Sequence, residues 1–515
     1  MKISLKTLAL SCAAFLFLKG QAVAQTLSWQ QSITSTSGLS SADVYLGTTR
    51  LTSDGSLYSF GNVANSATAG DWCITKHNSS GTLLWRREQN SPVAGFTEDG
   101  ITTFRVDQAT GDVYVAGWII QPSTNGDWRI CKYNSAGTLL WTRDIAGTET
   151  ANPVADKPTS IQIDGSGNVY VTGYVINTGV GADWRVVRLN PSTGAVVWSQ
   201  TEKGDATVSG NVDDEPRGTA ISSDSLYVTG YVRNTATARD WFTVKYNLAT
   251  GARTWTRTEA LAGFNAEETK SLLLTGSAVY VTGWDTPSGA SGSETRTIKY
   301  DLAGTKLWTR TYSRSTLGND EGQSLLEDGS GNLYVGGYSI DTTGSDWAVI
   351  KYNSAGTQQW VYLVNGGSNG ADNLSGFFLA SDGNLVMYGS TAEVGFTQQW
   401  SLRKVSSAGA LVWNKTKAGA QGFGENRLNS VQEDASGNLW ALGTFQNFTF
   451  LDWSLVRYNS AGTELGTLQV NGSAANSSDA PRNLIRIDAS NFVLTGTLDQ
   501  SATGKDWNIR KYTLP

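Results

Sequence analysis

The sequence predicts an all-β chain folded as one closed ring of about nine four-stranded sheets. Three observations predict it. A tryptophan that opens an alternating strand recurs at Trp72, Trp128, Trp184, Trp241, Trp347, Trp400, Trp453 and Trp507, with Thr295 in the remaining gap, which makes nine units spaced by 52 to 57 residues. The strand before it carries a glycine nine times, at Gly61, Gly117, Gly173, Gly230, Gly283, Gly337, Gly389, Gly443 and Gly496. A second tryptophan follows a tight turn at Trp85, Trp141, Trp198, Trp255, Trp308, Trp360 and Trp413, and Gly466 takes the eighth place. The ninth copy stands at the other end, where Thr26-Leu27-Ser28-Trp29 matches Thr138-Leu139-Leu140-Trp141. A fixed period of this kind marks one repeat array rather than several domains.

One unit shows why each element forms. Residues 159–163, 169–175, 183–189 and 195–201 are short runs in which apolar and polar residues alternate, the signature of strands. GSGN and PSTG between them supply the preset or positive φ of tight turns, whereas NTGVGA is a longer connection. In residues 128–133, WRICKY, both alternating sets contain apolar side chains, which suits a sheet packed between two neighbours. Four-stranded units repeated around a ring are propeller blades. The last unit ends at Tyr512 without an outer strand, so pairing residues 26–34 there completes the sheet and removes the open edges.

Residues 1–24 read as a secretory signal, with Lys2 and Lys6, an apolar run over 8–18 and Ala22-Val23-Ala24 as the cleavage site; residues 25–515 form the propeller domain. No later segment approaches the roughly 18 apolar residues of a membrane helix, so a secreted, periplasmic or cell-surface protein without membrane insertion is expected. Cleavage removes Lys2, Lys6 and Lys19, which lowers Lys+Arg from 39 to 36 against 45 acids and leaves a net charge of −9, unsuited to nucleic acid. A monomer is expected. Cys73 and Cys131 fall on one face of neighbouring blades and are expected to stay unpaired.

The pattern GSGNVYVTGY followed by DW-x-x-x-K-Y-N-x-x-G resembles a bacterial β-propeller repeat family, described as seven-bladed, of secreted and cell-surface proteins. The resemblance covers residues 26–515, but nine units depart from seven. The piece NSAGTLLW is also similar to the repeats of quinoprotein dehydrogenase propellers, a shorter likeness.

His77 is the only histidine and takes a position that Tyr133, Tyr246, Tyr300 and Tyr352 hold in other units, which argues against histidine catalysis and His-rich metal sites. No P-loop, dinucleotide fingerprint, EF-hand loop or nucleophile elbow occurs. An acid recurs before the first strand of each unit, at Asp43, Asp99, Asp156, Asp214, Glu267, Asp320, Asp372, Glu425 and Asp479, and reads first as a cap on backbone N–H groups.

The candidate site lies where the units stop being alike. The residue after the strand glycine is aromatic in five consecutive units, Trp118, Tyr174, Tyr231, Trp284 and Tyr338, and polar in the rest. Acids cluster before the first strand in that half of the ring, including Asp214 with Glu215, Glu267 with Glu268, and Asp320 with Glu321. Rings beside carboxylates suit a sugar, a cationic protein segment or a carboxylate calcium site. A secreted binding or scaffolding propeller, non-catalytic and without cofactor unless calcium binds, is the leading expectation. A carboxylate-based carbohydrate hydrolase or lyase and a quinone-cofactor dehydrogenase are the alternatives.

Overall fold

The computed structural model describes residues 26–513 except 34–44, 65–69, 92–98, 122–123, 150–155, 180, 206–213, 236–237, 261–266, 316–317, 343, 369, 395, 419–425, 448–449, 472–478, 489 and 501–503. The signal segment expected over 1–24 therefore lies outside the described residues. Among the described residues no helix is long and apolar enough to cross a membrane.

Among the described residues thirty-six strands form nine four-stranded antiparallel sheets, and each sheet is one blade of a propeller. Blades 1 to 8 span residues 45–89, 100–145, 157–202, 215–259, 268–312, 320–364, 373–417 and 427–470. Blade 9 joins residues 480–513 to the strand Thr26–Ile33, which pairs with Gly504–Thr513 from Thr26 opposite Thr513 to Ile33 opposite Trp507. The expected closure is present. In blade 3 the strands run Lys157–Ile163, Val169–Asn177, Gly181–Leu189 and Val196–Glu202, with a bulge between Pro158 and Ser160 that recurs at the same register in the other blades. Such bulges raise the local twist that the diverging blades need.

The repeat markers are the joints between blades. Trp128 Nε1 donates to the Tyr174 carbonyl of the next blade at 2.8 Å, and the same bond leaves Trp72, Trp184, Trp241, Trp347, Trp400 and Trp453. Trp507 carries it across the closure to the Asn62 carbonyl at 3.2 Å. The strand glycine makes room for this ring: a Cβ on Gly173 would lie 2.6 Å from Trp128 and 2.2 Å from the Lys157 carbonyl. Each of these indoles buries on the order of 200 Å², about 5 kcal/mol of transfer free energy at ~25 cal/mol per Å². They are scaffold.

The outer tryptophans bridge at the turns. Trp85 donates to the Ser135 carbonyl at 3.1 Å and lies over Gly137, whose φ of +80° and absent Cβ both require glycine. Trp29 does the same to blade 1 through the Ser79 carbonyl. Gly466 now has a reason. Blade 9 takes its outer strand from the N-terminal segment and so lacks the turn on which a blade 8 tryptophan would rest.

Cys73 and Cys131 are buried and unpaired. Cys73 packs against Trp507 and Ile509 of blade 9, Cys131 against Trp72 and Ile74 of blade 1, so one blade separates them.

Candidate functional site

Most of the acidic ring holds backbone. Asp99, Asp156, Asp214, Asp372 and Asp479 each accept, through Oδ1, the N–H three residues beyond the strand glycine, at 2.6 to 3.0 Å. Asp156, Asp214 and Asp372 also accept from Gly147, Gly204 and Gly366 at the end of the preceding blade. Burial pushes Asp99, Asp156 and Asp372 up to about 6 against the pull of these bonds. In blade 8 the work falls to Asn426, which accepts from Gln446 N at 2.8 Å; Glu425, chosen from the sequence, and Asp43 lie outside the described residues. Asp214 is thus a staple, and Asp320 takes a related place by accepting from Arg314 N at 2.8 Å.

The acids one residue further on do something else. Glu215 and Glu268 begin the innermost strands of blades 4 and 5 and Glu321 is second in that of blade 6, directly opposite Tyr231, Trp284 and Tyr338. Two residues later, at the bulge of each strand, stand Arg217, Lys270 and Gln323. These groups form a lateral belt around the mouth of the channel. Tyr231 donates to Glu215 at 2.9 Å, Arg217 bridges Glu215 at 3.0 Å and Glu268 at 2.8 Å, and Lys270 bridges Glu268 at 3.0 Å and approaches Glu321 at 3.8 Å. Tyr338 closes the run on Glu321 at 3.1 Å, and burial together with that carboxylate pushes its phenol up to about 12. Glu268 and Glu321 are buried, Glu215 and Lys270 half-buried and Arg217 exposed, so the most open group of the belt is a cation.

The five aromatic residues do not form one platform. Tyr231 is only 2% exposed and lies between Arg217 and Arg239, whose guanidinium carbons sit 5.7 and 4.6 Å from its ring centre. Trp118 carries Lys157 over its face at 4.8 Å. Trp118, Tyr174, Trp284 and Tyr338 stay half-buried. Among the described residues no group of three or more His, Cys, Asp or Glu is placed to hold a metal ion.

Blade 5, where Thr295 replaces the inner tryptophan, adds a buried charge cluster. Arg296 lies 3.2 Å from Glu259, 3.3 Å from Asp285 and 3.7 Å from Glu267, with its guanidinium 5.3 Å from the Trp241 ring centre. Burial pushes Asp285 up to about 7, opposed by Arg296 and reinforced by Glu294. Glu294 itself, raised by burial, lines a cavity of ≈ 500 Å³ formed with residues 287–293, Ser313 and Ser315.

The model of the family described as outer membrane protein assembly factor BamB matches residues 22–291, more than half of the 515 residues. The chain belongs to that family. No curated protein matches this BamB-family chain. Among solved structures, the quinohemoprotein alcohol dehydrogenase of Comamonas testosteroni is 10% identical over 95% of this chain and 76% of its own, with a TM-score of 0.48. A eukaryotic initiation factor is 11% identical over 85% of this chain and 95% of its own, again with a TM-score of 0.48. Sqt1 from Chaetomium thermophilum is 11% identical over 94% and 99%, with a TM-score of 0.43.

Sequence reasoning picked out the acids and rings of the belt in this BamB-family chain and missed its cations. The signal was an acid followed two residues later by Arg or Lys, Glu215-x-Arg217 and Glu268-x-Lys270, a spacing that the bulge at the second position keeps within ion-pair reach.

Proposed function

We propose that the chain is an exported, non-catalytic binding propeller that holds a protein segment at the channel mouth of blades 4 to 6. The observation that carries this reading is the belt running from Tyr231 through Glu215, Arg217, Glu268, Lys270 and Glu321 to Tyr338. Its members fix one another before any partner arrives, so little side-chain freedom is lost on binding. The carboxylates are already engaged by Arg and Lys, which favours recognition over acid–base chemistry by that pair. The cations of the belt suit the carbonyl oxygens and acidic side chains of an extended peptide. The family description, an assembly factor for outer membrane proteins, supports a protein partner over a sugar.

The experiment is site-specific photocrosslinking from the mouth of the channel in the native envelope, with wild type and an Arg217→Ala/Lys270→Ala variant. Loss of the protein adduct at unchanged melting temperature is expected. Adducts that persist in the double variant overturn the reading. Binding on a glycan array in place of protein adducts would move the assignment to carbohydrate, and a bound chromophore in the absorption spectrum would move it to the quinone dehydrogenases.

A further inference from the structure

The belt has a counterpart on the far side of the ring. At the two innermost-strand positions that hold Glu and Arg or Lys in blades 4 and 5, blades 7, 8 and 9 carry Asn373 and Ser375, Arg427 and Asn429, and Ala480 and Arg482. There is no acid among these six. Arg427 and Arg482 are exposed, come from adjacent blades and line the same gap. Lys505, at the start of the third strand of blade 9, joins them from the side.

These three cations, with Asn429 and Thr444, line a cavity of ≈ 240 Å³ between blades 8 and 9 at the long-loop end. At ~30 Å³ per water that is room for about eight waters, enough for a small anion that keeps part of its hydration. The acid in the wall is Asp479, which is buried and turns Oδ1 to the Asp499 N–H at 2.8 Å. Guanidinium groups recognise oxyanions by paired N–H···O bonds, and Lys adds a mobile point charge. Ala480 and Pro481, small or rigid side chains, complete the lining with Leu451.

We propose that the gap between blades 8 and 9 is an oxyanion-binding site in which Arg427, Arg482 and Lys505 hold a phosphate or carboxylate group. It is separate from the belt of blades 4 to 6 and stands or falls independently of the partner assigned there. A free phosphate and an acidic side chain share this chemistry, and the test separates them.

The test is calorimetric titration of the mature chain at constant ionic strength with inorganic phosphate and, in parallel, with succinate. Saturable binding of at least one is expected, and the tighter of the two names the source. Arg427→Gln and Arg482→Gln should each weaken it by about tenfold or more, while Lys203→Gln, at an exposed lysine just after blade 3, should not. A second readout needs no variant: the bound anion should slow acylation of Lys505 in the native chain, read by mass spectrometry. Failure of both anions to saturate, or binding and Lys505 protection that survive in the Arg427→Gln/Arg482→Gln double variant, overturns the site.

Discussion

Blade 3 follows the repeat at every marker, and blade 5 breaks it at Thr295. The two blades differ in what sits behind that position. In blade 3, Trp184 passes its indole N–H to blade 4, and the next residue, Arg185, donates to Ser199 of its own outer strand at 3.3 Å. In blade 5 the tryptophan is absent, and the next residue, Arg296, is enclosed by Glu259, Glu267 and Asp285. At the matching places around Arg185 stand Ile145, Asp156 and Val175, two of them apolar. The charge cluster lies at the joint of blades 4 and 5, beside Trp241, whose indole N–H still reaches the Trp284 carbonyl, so buried charge is added there to indole packing, while the joint from blade 5 to blade 6 is the one without an inner indole. Packing adds stability at each joint, whereas a buried ion cluster contributes little net and is costly to break.

The largest effect is expected from removing the strand shared by the two chain ends. Deletion of residues 26–33 leaves blade 9 with an open edge along Gly504–Thr513 and takes the Trp29 bridge from blade 1. Aggregation or a broad, early melting transition in size-exclusion chromatography and calorimetry is the expected result, and unchanged melting and solubility would show that closure contributes nothing.

Breaking the charge cluster comes next. Arg296→Met removes the cation shared by three carboxylates, of which Glu259 keeps Tyr300 and Lys306, and should cost about 3 kcal/mol by chemical denaturation, whereas Arg185→Met should cost less than about 1 kcal/mol. Equal losses would erase the distinction between the two blades. Copying the blade 5 residue into blade 3, as Trp184→Thr, should cost about 3–5 kcal/mol through the cavity it leaves.

A smaller effect tests another departure. His77 stands among tyrosines of the other blades, is fully buried, and has its pKa lowered to about 4 by that burial. Below 6.5 the unfolded chain takes up a proton that the folded ring refuses until about pH 4, so this group's contribution is present at neutral pH and is lost as pH falls, by about 2 kcal/mol at pH 5. The carboxyls of Asp99, Asp156 and Asp372, raised to about 6, act the other way, since the folded ring binds their protons first and gains stability as pH falls through that value. His77→Tyr removes only the first contribution. Its melting temperature relative to wild type should therefore rise between pH 7 and pH 5, and a constant difference would mean that His77 titrates normally. The smallest effect leaves stability untouched: two thiols should react with a labelling reagent after unfolding without reductant, and none before, as Cys73 and Cys131 are buried apart.

The nine blades and their closure were legible because the joints are made by residue types that recur. A tryptophan, a strand glycine and a turn glycine are each required by a neighbour 40 to 60 residues away, so the joint leaves its mark as a period. Even Gly466 was a readable exception. The belt was half legible, because Glu268 and Tyr338 depart from the period, but the partners that decide their role, Arg217 and Lys270, lie across blade boundaries. The cationic gap between blades 8 and 9 left no repeating mark. Arg427, Arg482 and Lys505 hold unlike positions on different strands and meet only when the ring curves.

The closure of blade 9 also sets an order of events. The strand Thr26–Ile33 leaves the ribosome early, while its partner, ending near Thr513, appears some 480 residues later; Ser28 and Thr513, which share a hydrogen bond at 2.6 Å, are 485 positions apart. Eight blades can form by local hairpins, each from one contiguous stretch of chain. The ninth cannot. Until then an unpaired strand travels at one end and the growing ring stays open at the other, so the chain is most exposed to wrong pairing just before it is finished. Assembly of this ring is paced by its last strand.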